Sequence, residues 1–121
     1  GTNQLRILVE SGSLESVISS ISITPPAFTP QGDGINDQVH ISYTLLSILG
    51  VIDVDIELFD LSGRRVRRLE SAARRAGRHV VSWDGREEIG RVVTPGVYLA
   101  RVQVKTDRGI VTRYGSIALA Y

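Results

Sequence analysis

The strongest constraint in this sequence is the alternation of apolar and polar residues in several short segments. Residues 39–45 read VHISYTL, and residues 52–58 read IDVDIEL. A period of two places one face of a β-strand in a core and the other in water. A helix would scatter the same apolar residues around its axis. The pattern therefore predicts a strand over each segment, with the acids of the second on its outer face.

Further segments of similar character continue along the chain and are separated by turn residues. We expect additional strands at residues 4–9, 17–23, 64–69, 78–83, 96–105 and 110–119. Glycines between them fit turns that need a positive φ, and Asp107-Arg108-Gly109 predicts a tight hairpin. We expect Glu70–Ala76 to be a loop. About seven to nine short strands with such connections indicate an all-β, antiparallel β-sandwich.

Composition removes several classes of function. The 121 residues fit one domain, and the absence of cysteine excludes disulfides, thiol nucleophiles and thiolate metal sites. The net charge of +1 gives no overall attraction to nucleic acid or to an anionic membrane. No apolar run approaches the ~20 residues that a membrane-spanning helix needs. We therefore expect no nucleic-acid partner and no membrane insertion.

The first sixteen residues differ from the rest and are interpreted as an N-terminal strand and linker (1–16) ahead of a sandwich at 17–121. The strand-like part contains Gln4, Leu5, Ile7 and Val9, and a small polar stretch, SGSLES, follows it. Three assignments stay open: the last strand of a preceding domain, a strand of this one, or an arm that pairs with another chain. In the third case these residues are a candidate assembly strand.

Four motifs, in order, resemble known bacterial modules. FTPQGDGIND (28–37) resembles the opening of C-terminal surface and gliding-motility modules, although Gln31 stands where Asn is usual. The other three motifs are similar to the Ig-like domain family of the flagellar hook-capping protein. They are IELFDLSGRRVRRL (56–69), the pair AGRH and WDGR (76–79, 83–86), and VTPGVY (93–98). The resemblance covers roughly residues 24–104. It implies an immunoglobulin-like (fibronectin III-like) sandwich in a secreted or surface-exposed bacterial protein.

The loop at residues 32–37 holds the side chains best suited to a metal ion. Asp33, Asn36 and Asp37 supply two carboxylates and an amide oxygen, and hard oxygen donors suit Ca²⁺. A full calcium loop supplies about six to eight oxygens, including a late bidentate acid, and the next acid here is Asp53. An Asx-rich turn that satisfies its own backbone explains the same residues. Calcium is therefore a candidate cofactor, and no other cofactor is expected.

Seven arginines between residues 64 and 78 form the main charged feature of the chain. They could bind phosphate, polysaccharide or nucleic acid. Asp53, Asp55 and Glu57 on the neighbouring strand instead predict cross-strand ion pairs and a solvated, acid-paired face. Trp83 is expected to fill the core with its indole N–H bonded to the backbone, and stacking on a sugar is the alternative.

No pattern of a catalytic site is present in the sequence. His40 and His79 are assigned to the polar phase of their strands, and no third ligand is spaced with them for zinc. No nucleophile elbow or phosphate loop is found. Three non-catalytic roles follow: a spacer, display or secretion-associated module at the bacterial cell surface, a self-assembling filament subunit, or a calcium-dependent carbohydrate- or surface-binding adhesin. The expected partners are other protein domains or copies of the chain itself.

Overall fold

The computed structural model describes residues 17–30, 37–46 and 48–120, and this part of the chain contains eight β-strands and no helix. The strands are β1 (Ser22–Thr24), β2 (Ala27–Phe28), β3 (Val39–Leu45), β4 (Val51–Asp60), β5 (Arg65–Arg75), β6 (Gly77–Trp83), β7 (Gly96–Thr106) and β8 (Gly109–Leu119). They form a three-stranded sheet, β1-β3-β6, and a five-stranded sheet, β2-β8-β7-β4-β5. All neighbours are antiparallel except β2 and β8. No described residue lies in a helix able to cross a membrane.

The core lies between the two sheets and uses the alternating positions that the sequence predicts. From the three-stranded sheet it takes Val39, Ile41, Tyr43, Leu45 and Trp83, all buried. The five-stranded sheet contributes Val54, Ile56 and Leu58, then Tyr98, Ala100, Val102 and Val104, then Val111, Ile117 and Leu119. Burial of each large aliphatic side chain stabilises the fold by roughly 1.5–3 kcal/mol. The predicted all-β sandwich is confirmed.

Trp83 is the centre of an aromatic cluster in this core. Its ring centroid lies 5.7 Å from that of Phe28 and 5.6 Å from that of Tyr98. The indole N–H donates to the carbonyl oxygen of Arg86 at 2.9 Å. Because Trp83 is fully buried, the prediction that it fills the core is confirmed and stacking on a sugar is excluded.

The glycine two residues after this tryptophan is required by two independent constraints. Gly85 has a φ of 80°, a conformation that side chains with a Cβ rarely adopt. A Cβ at this position would lie 2.8 Å from the Cβ of Pro30 and 3.2 Å from Leu119. The turn after β6 can therefore pack against the chain beside β2 only with glycine here.

Two sequence expectations about strand extent are wrong, and a hairpin is confirmed. The expected loop Glu70–Ala76 is part of β5, which pairs with β4 from Arg65 to Arg75. The expected strand at 17–23 is reduced to a single bridge between Ile18 and Leu45, followed by β1. The hairpin between β7 and β8 is as predicted, since Thr106 pairs with Gly109 around a two-residue turn.

His79 does not lie on the polar phase of its strand. It pairs with Tyr43 across β3 and β6, and the two ring centroids are 5.4 Å apart. Its Nε2 lies 2.8 Å from the carbonyl oxygen of Arg75. The imidazole therefore covers the end of the core. His40 is exposed, as expected, with its Nδ1 2.7 Å from the hydroxyl of Ser82.

Candidate interaction surface

The outer face of the five-stranded sheet is where the charged side chains of the sequence meet. On β4 the residues between the core positions are Asp55, Glu57 and Phe59. The register places Glu57 opposite Arg101 of β7 and Arg68 of β5. An alternating acidic strand between two strands that carry cations therefore produces a ladder of opposite charges.

A charged patch occupies one half of this face. It consists of Asp55, Glu57, Arg65, Arg68, Arg101 and Lys105. One Glu57 oxygen accepts from Arg65 at 2.9 Å and lies 3.5 Å from Arg68, and the other accepts from Arg101 at 2.5 Å. Lys105 lies 3.0 Å from a carboxylate oxygen of Asp55. The predicted pairing with the arginines of the neighbouring strand is confirmed for Glu57. It is wrong for Asp55, whose partner is Lys105 of β7, and for Asp53, with which no described residue forms an ion pair.

The pKa values of these acids are set by their partners. Burial raises the pKa of Glu57, but hydrogen bonds from Arg65 and Arg101, with the charge of Arg101, outweigh burial and hold it below its ordinary value. A hydrogen bond from the Ser71 hydroxyl, then one from Lys105, lowers the pKa of Asp55. Both carboxylates thus stay ionised at neutral pH. Their geometry suits the joining of strands, not proton transfer.

An apolar groove occupies the other half of the face. Phe59, Leu61, Leu99 and Tyr114 form its apolar lining, with Asp60, Gly63 and Arg101 at the rim, around a volume of about 270 Å³. Leu61 is 68% exposed and Tyr114 is 61% exposed. The guanidinium of Arg101 lies 4.6 Å from the centroid of the Phe59 ring, in a cation–π contact. Arg101 therefore belongs to both the groove and the charged patch.

The turn beside the groove is fixed by one carboxylate. Asp60 Oδ1 accepts from the backbone N–H and the hydroxyl of Ser62, at 3.0 and 2.6 Å, and from the N–H of Arg64 at 3.0 Å. The Arg64 side chain reaches the other oxygen at 3.3 Å. The Ser62 hydroxyl is the main cause of a lowered pKa at Asp60. The rim of the groove is therefore preorganised by its own side chains.

A second polar network joins the two sheets at the edge strand. The Tyr43 hydroxyl of β3 donates to Glu70 of β5 at 3.0 Å, and Arg74 donates to the same carboxylate at 3.2 and 2.5 Å. Burial, aided by the charge of Glu70, raises the pKa of Tyr43 above its ordinary range. Tyr43 therefore stays protonated and acts as a structural bridge between the sheets.

One half of the β5 edge is covered, and the other half, called the open part, has no partner strand in the described part of the chain. Arg68 donates its N–H to Glu88 Oε2 at 3.0 Å, and the Glu88 N–H lies 3.3 Å from the Val66 carbonyl oxygen. Within the described ranges no strand pairs with the edge of β5 opposite to β4. From residue 69 to residue 74 this edge therefore lacks a pairing strand among the described residues, and an unpaired edge can accept a further strand.

The predicted calcium and assembly residues fall largely outside the described ranges. This applies to Asp33 and Asn36 of the loop, and to Gln4, Leu5, Ile7 and Val9 of the N-terminal segment. Asp37 is described and is half-buried, and the described residues contain no group of three potential metal ligands. Both assignments stay predictions. Calorimetric titration with Ca²⁺ tests the first, since a calcium loop requires a measurable heat that is absent in an Asx turn.

Sequence reasoning did not find the groove, although part of its signal was present. In the expected strand at residues 96–105, Tyr98 and Leu99 are adjacent and both suit a core position, so the sequence leaves open which of them faces inward. The structure buries Tyr98, whose hydroxyl donates to the carbonyl oxygen of Thr94, and so places Leu99 on the outer face. A strand phase fixed on Tyr98 would have assigned Leu99 to the surface.

The sequence matches the family model described as FlgD Ig-like domain over residues 36–108, which is more than half of the chain. The chain belongs to the FlgD Ig-like domain family. The resemblance of its motifs to the Ig-like domain of the hook-capping protein is thereby confirmed. Among curated protein sequences, none matches this FlgD Ig-like domain.

Solved structures with the same fold come from larger bacterial proteins. PorU from Porphyromonas gingivalis matches with a TM-score of 0.64 at 18% identity, over 83% of this chain and 9% of PorU. FlgD from P. aeruginosa matches with a TM-score of 0.53 at 22% identity, over 83% of this chain and 69% of FlgD. PorZ, a surface component of the type-IX secretion system of Porphyromonas gingivalis, matches with a TM-score of 0.50 at 19% identity, over 92% of this chain and 12% of PorZ. At these identities the likeness concerns the fold.

Proposed function

We propose that this FlgD Ig-like domain is a non-catalytic structural module of a secreted or cell-surface bacterial protein, with a spacer, display or secretion-associated role. Family membership over residues 36–108 supports the structural character. The surface location is motivated by the sequence resemblance and by PorZ, which is described as a surface component of a secretion system. The partners of such a module are other protein domains.

The observation that carries this role is the mutual pairing of the acids on the outer face. Glu57 is bound by three arginines, and Asp55 is bound by Lys105. A general acid or base needs a carboxyl group that can approach a substrate and exchange its proton near the working pH. Here the pKa values of both acids are lowered. These carboxylates therefore have a structural role in joining the strands of the sheet, and not a catalytic one.

Light scattering behind a sizing column tests this role on the purified chain. A spacer or display module is expected to be a monomer of 13.2 kDa in dilute solution. It is also expected to unfold in a single cooperative transition, as small single domains do. Large polymers in dilute solution would contradict the spacer role and favour assembly.

A second candidate function, a self-assembling subunit, is favoured by the open part of the β5 edge. An extended segment from a neighbour could add to this edge by main-chain pairing. The predicted assembly strand, with Gln4, Leu5, Ile7 and Val9, is the donor in this alternative. Head-to-tail donation does not close and gives filaments.

Deletion of residues 1–13 separates the two functions. Polymers that disappear on deletion support strand exchange, whereas a monomer that is unchanged by deletion supports the spacer role. The substitution Ile7→Asp tests whether the alternating apolar residues of the donor strand, its apolar phase, make the contact. Gln4→Asp, at a polar position of the same strand, is the matched control. Equal polymerisation of both variants would contradict donation through this phase.

A further inference from the structure

The apolar groove has no occupant within the described part of the chain. Its walls, Leu61 and Tyr114, expose most of their surface, so the concavity is accessible to a side chain of another molecule. At its rim Asp60 accepts from Ser62 and Arg64, and a terminal nitrogen of Arg101 donates to Glu57, while the buried Nε of Arg101 has no hydrogen-bond partner among the described residues. The lining is mostly apolar, since Phe59, Leu61 and Leu99 carry no polar side-chain atoms. The groove fits an apolar side chain.

The charges around the groove determine which residues can flank that side chain in the partner. Four guanidinium groups lie at the groove or beside it, those of Arg64, Arg65, Arg68 and Arg101. Two carboxylates, of Asp60 and Glu57, face them. The Arg64 side chain is largely open to solvent and that of Arg65 is half exposed. An excess of positive charge remains, so the complementary segment carries an apolar side chain next to carboxylates.

The chain itself exposes a segment with this chemistry. In the turn at residues 87–90, Ile89 is 77% exposed and follows directly after Glu87 and Glu88. The turn is rigid, because the Gly90 N–H donates to the Glu87 carbonyl oxygen and the Glu87 N–H to that of Arg91, each at 2.8 Å. Other exposed apolar residues, such as Leu49 and Ile110, have no acidic neighbour in the sequence.

We propose that the apolar groove receives Ile89 from a second copy of the chain, with Glu87 and Glu88 of that copy beside Arg64 and Arg65. The turn cannot fill its own groove, since the hydrogen bonds between Glu88 and β5 hold it at the sheet edge. A second molecule must therefore supply it. This contact goes beyond the structural role proposed above, because it gives the module a defined partner.

The two surfaces differ, so the contact is heterologous and leads to head-to-tail rows of modules. A single turn in a groove buries much less than the roughly 1,200 Å² of a stable interface, so the contact is weak in dilute solution. It becomes populated where copies are held close together, because a short tether gives an effective concentration on the order of 1 mM. A densely displayed surface module meets that condition.

Sedimentation equilibrium of the whole chain up to about 1 mM, the effective concentration of a short tether, tests the contact. The weight-average mass is expected to rise above 13.2 kDa with concentration. Ile89→Ser and Tyr114→Ser are each expected to remain monomeric, while Leu49→Ser, a change in an exposed leucine outside both surfaces, is expected to associate like the parent chain. Circular dichroism and thermal unfolding check that each variant is folded.

Mixing the two defective variants gives the sharper test. Ile89→Ser retains the groove and Tyr114→Ser retains the turn, so a mixture has one intact contact and is expected to form dimers that grow no further. A parent chain that is monomeric at every concentration overturns the contact and leaves the structural role intact. Association that survives both substitutions, or a mixture that stays monomeric, also overturns it. Large polymers already present in dilute solution contradict the spacer role instead.

Discussion

The charged patch and the apolar groove lie side by side on one sheet face, but they differ in whether their side chains find partners within the sheet. In the charged patch, Glu57 is only 7% exposed and three arginines converge on it. In the groove, Leu61 and Tyr114 meet no covering element in the described chain. One region completes its interactions within the sheet and the other leaves them incomplete.

This difference means that one region contributes to the stability of the fold and the other is available for contact with another molecule. Side chains whose partners are on the same sheet lose those partners when the chain unfolds, so the charged patch contributes to the free energy of unfolding. Side chains that stay exposed after folding contribute little to that free energy and are free to contact another molecule. Arg101 is common to both regions, since it bonds to Glu57 and lies over Phe59.

Arg101→Ala is expected to have the largest effect among the surface substitutions. It removes a charge-assisted hydrogen bond to a nearly buried carboxylate, and it also removes the packing and the cation–π contact over Phe59. Together these losses lower the free energy of unfolding by about 2–3 kcal/mol. Urea denaturation measures this change.

Arg65→Ala is the matched control for Arg101→Ala. It removes another arginine from the same carboxylate, but the Arg65 side chain is half exposed and makes no ring contact with Phe59 that the structure records. We expect a loss of about 0.5 kcal/mol, as for exposed ion pairs. Equal losses for the two variants would contradict the special position of Arg101.

Glu57→Gln is expected to lower the free energy of unfolding by about 1.5 kcal/mol at neutral pH, in the range for hydrogen bonds to charged groups. The pKa of Glu57 is lower in the folded chain than in the unfolded chain. Its contribution is therefore complete above the unfolded pKa of about 4.3 and is lost as the pH falls through the folded value. Urea denaturation between about pH 5 and pH 3, the window around that unfolded pKa, is expected to give a shallower loss of stability for the variant.

Asp53→Asn provides the control for that pH dependence. Asp53 lies on the same strand, but no described residue forms an ion pair with it. Its replacement removes a charge but no ion pair with a described residue, so the free energy of unfolding at neutral pH is expected to change by less than about 0.5 kcal/mol. A similar flattening in Asp53→Asn and Glu57→Gln would mean that overall charge, and not the convergence of three arginines, governs the acid response.

The sequence predicts the charged patch much better than the groove. The alternation in residues 52–58 places Asp55 and Glu57 on one face, and arginines of the neighbouring strand pair with Glu57 as predicted. The cations from β7 were not predicted. The hydrogen bond of the Trp83 indole is equally local, because its acceptor, the carbonyl oxygen of Arg86, lies three residues later, just after the turn at Gly85. The alternation of residues along a strand and the adjacency of residues in the chain can both be read from a single sequence.

The groove combines residues from three strands that are far apart in the sequence, Phe59, Leu99 and Tyr114. Their proximity depends on the order of β4, β7 and β8 in the sheet, which local patterns do not specify. The second half of β5 was missed for a related reason. Ser71, Ala72 and Ala73 have low β-propensity, and the strand forms because β4 provides a complete pairing partner.

Tyr114→Thr is expected to have the smallest effect on stability, within about 0.5 kcal/mol, because the side chain is mostly exposed and threonine also suits a strand. The matched change in the neighbouring strand is Tyr98→Thr. That side chain is buried against Trp83 and donates to the Thr94 carbonyl oxygen, so about 3 kcal/mol or more is expected to be lost. Thermal and urea unfolding measure both variants. If Tyr114→Thr were as destabilising as Tyr98→Thr, the groove would be part of the folded core. The groove would then differ from the charged patch only in its chemistry, and it would not be a surface available for contact with another molecule.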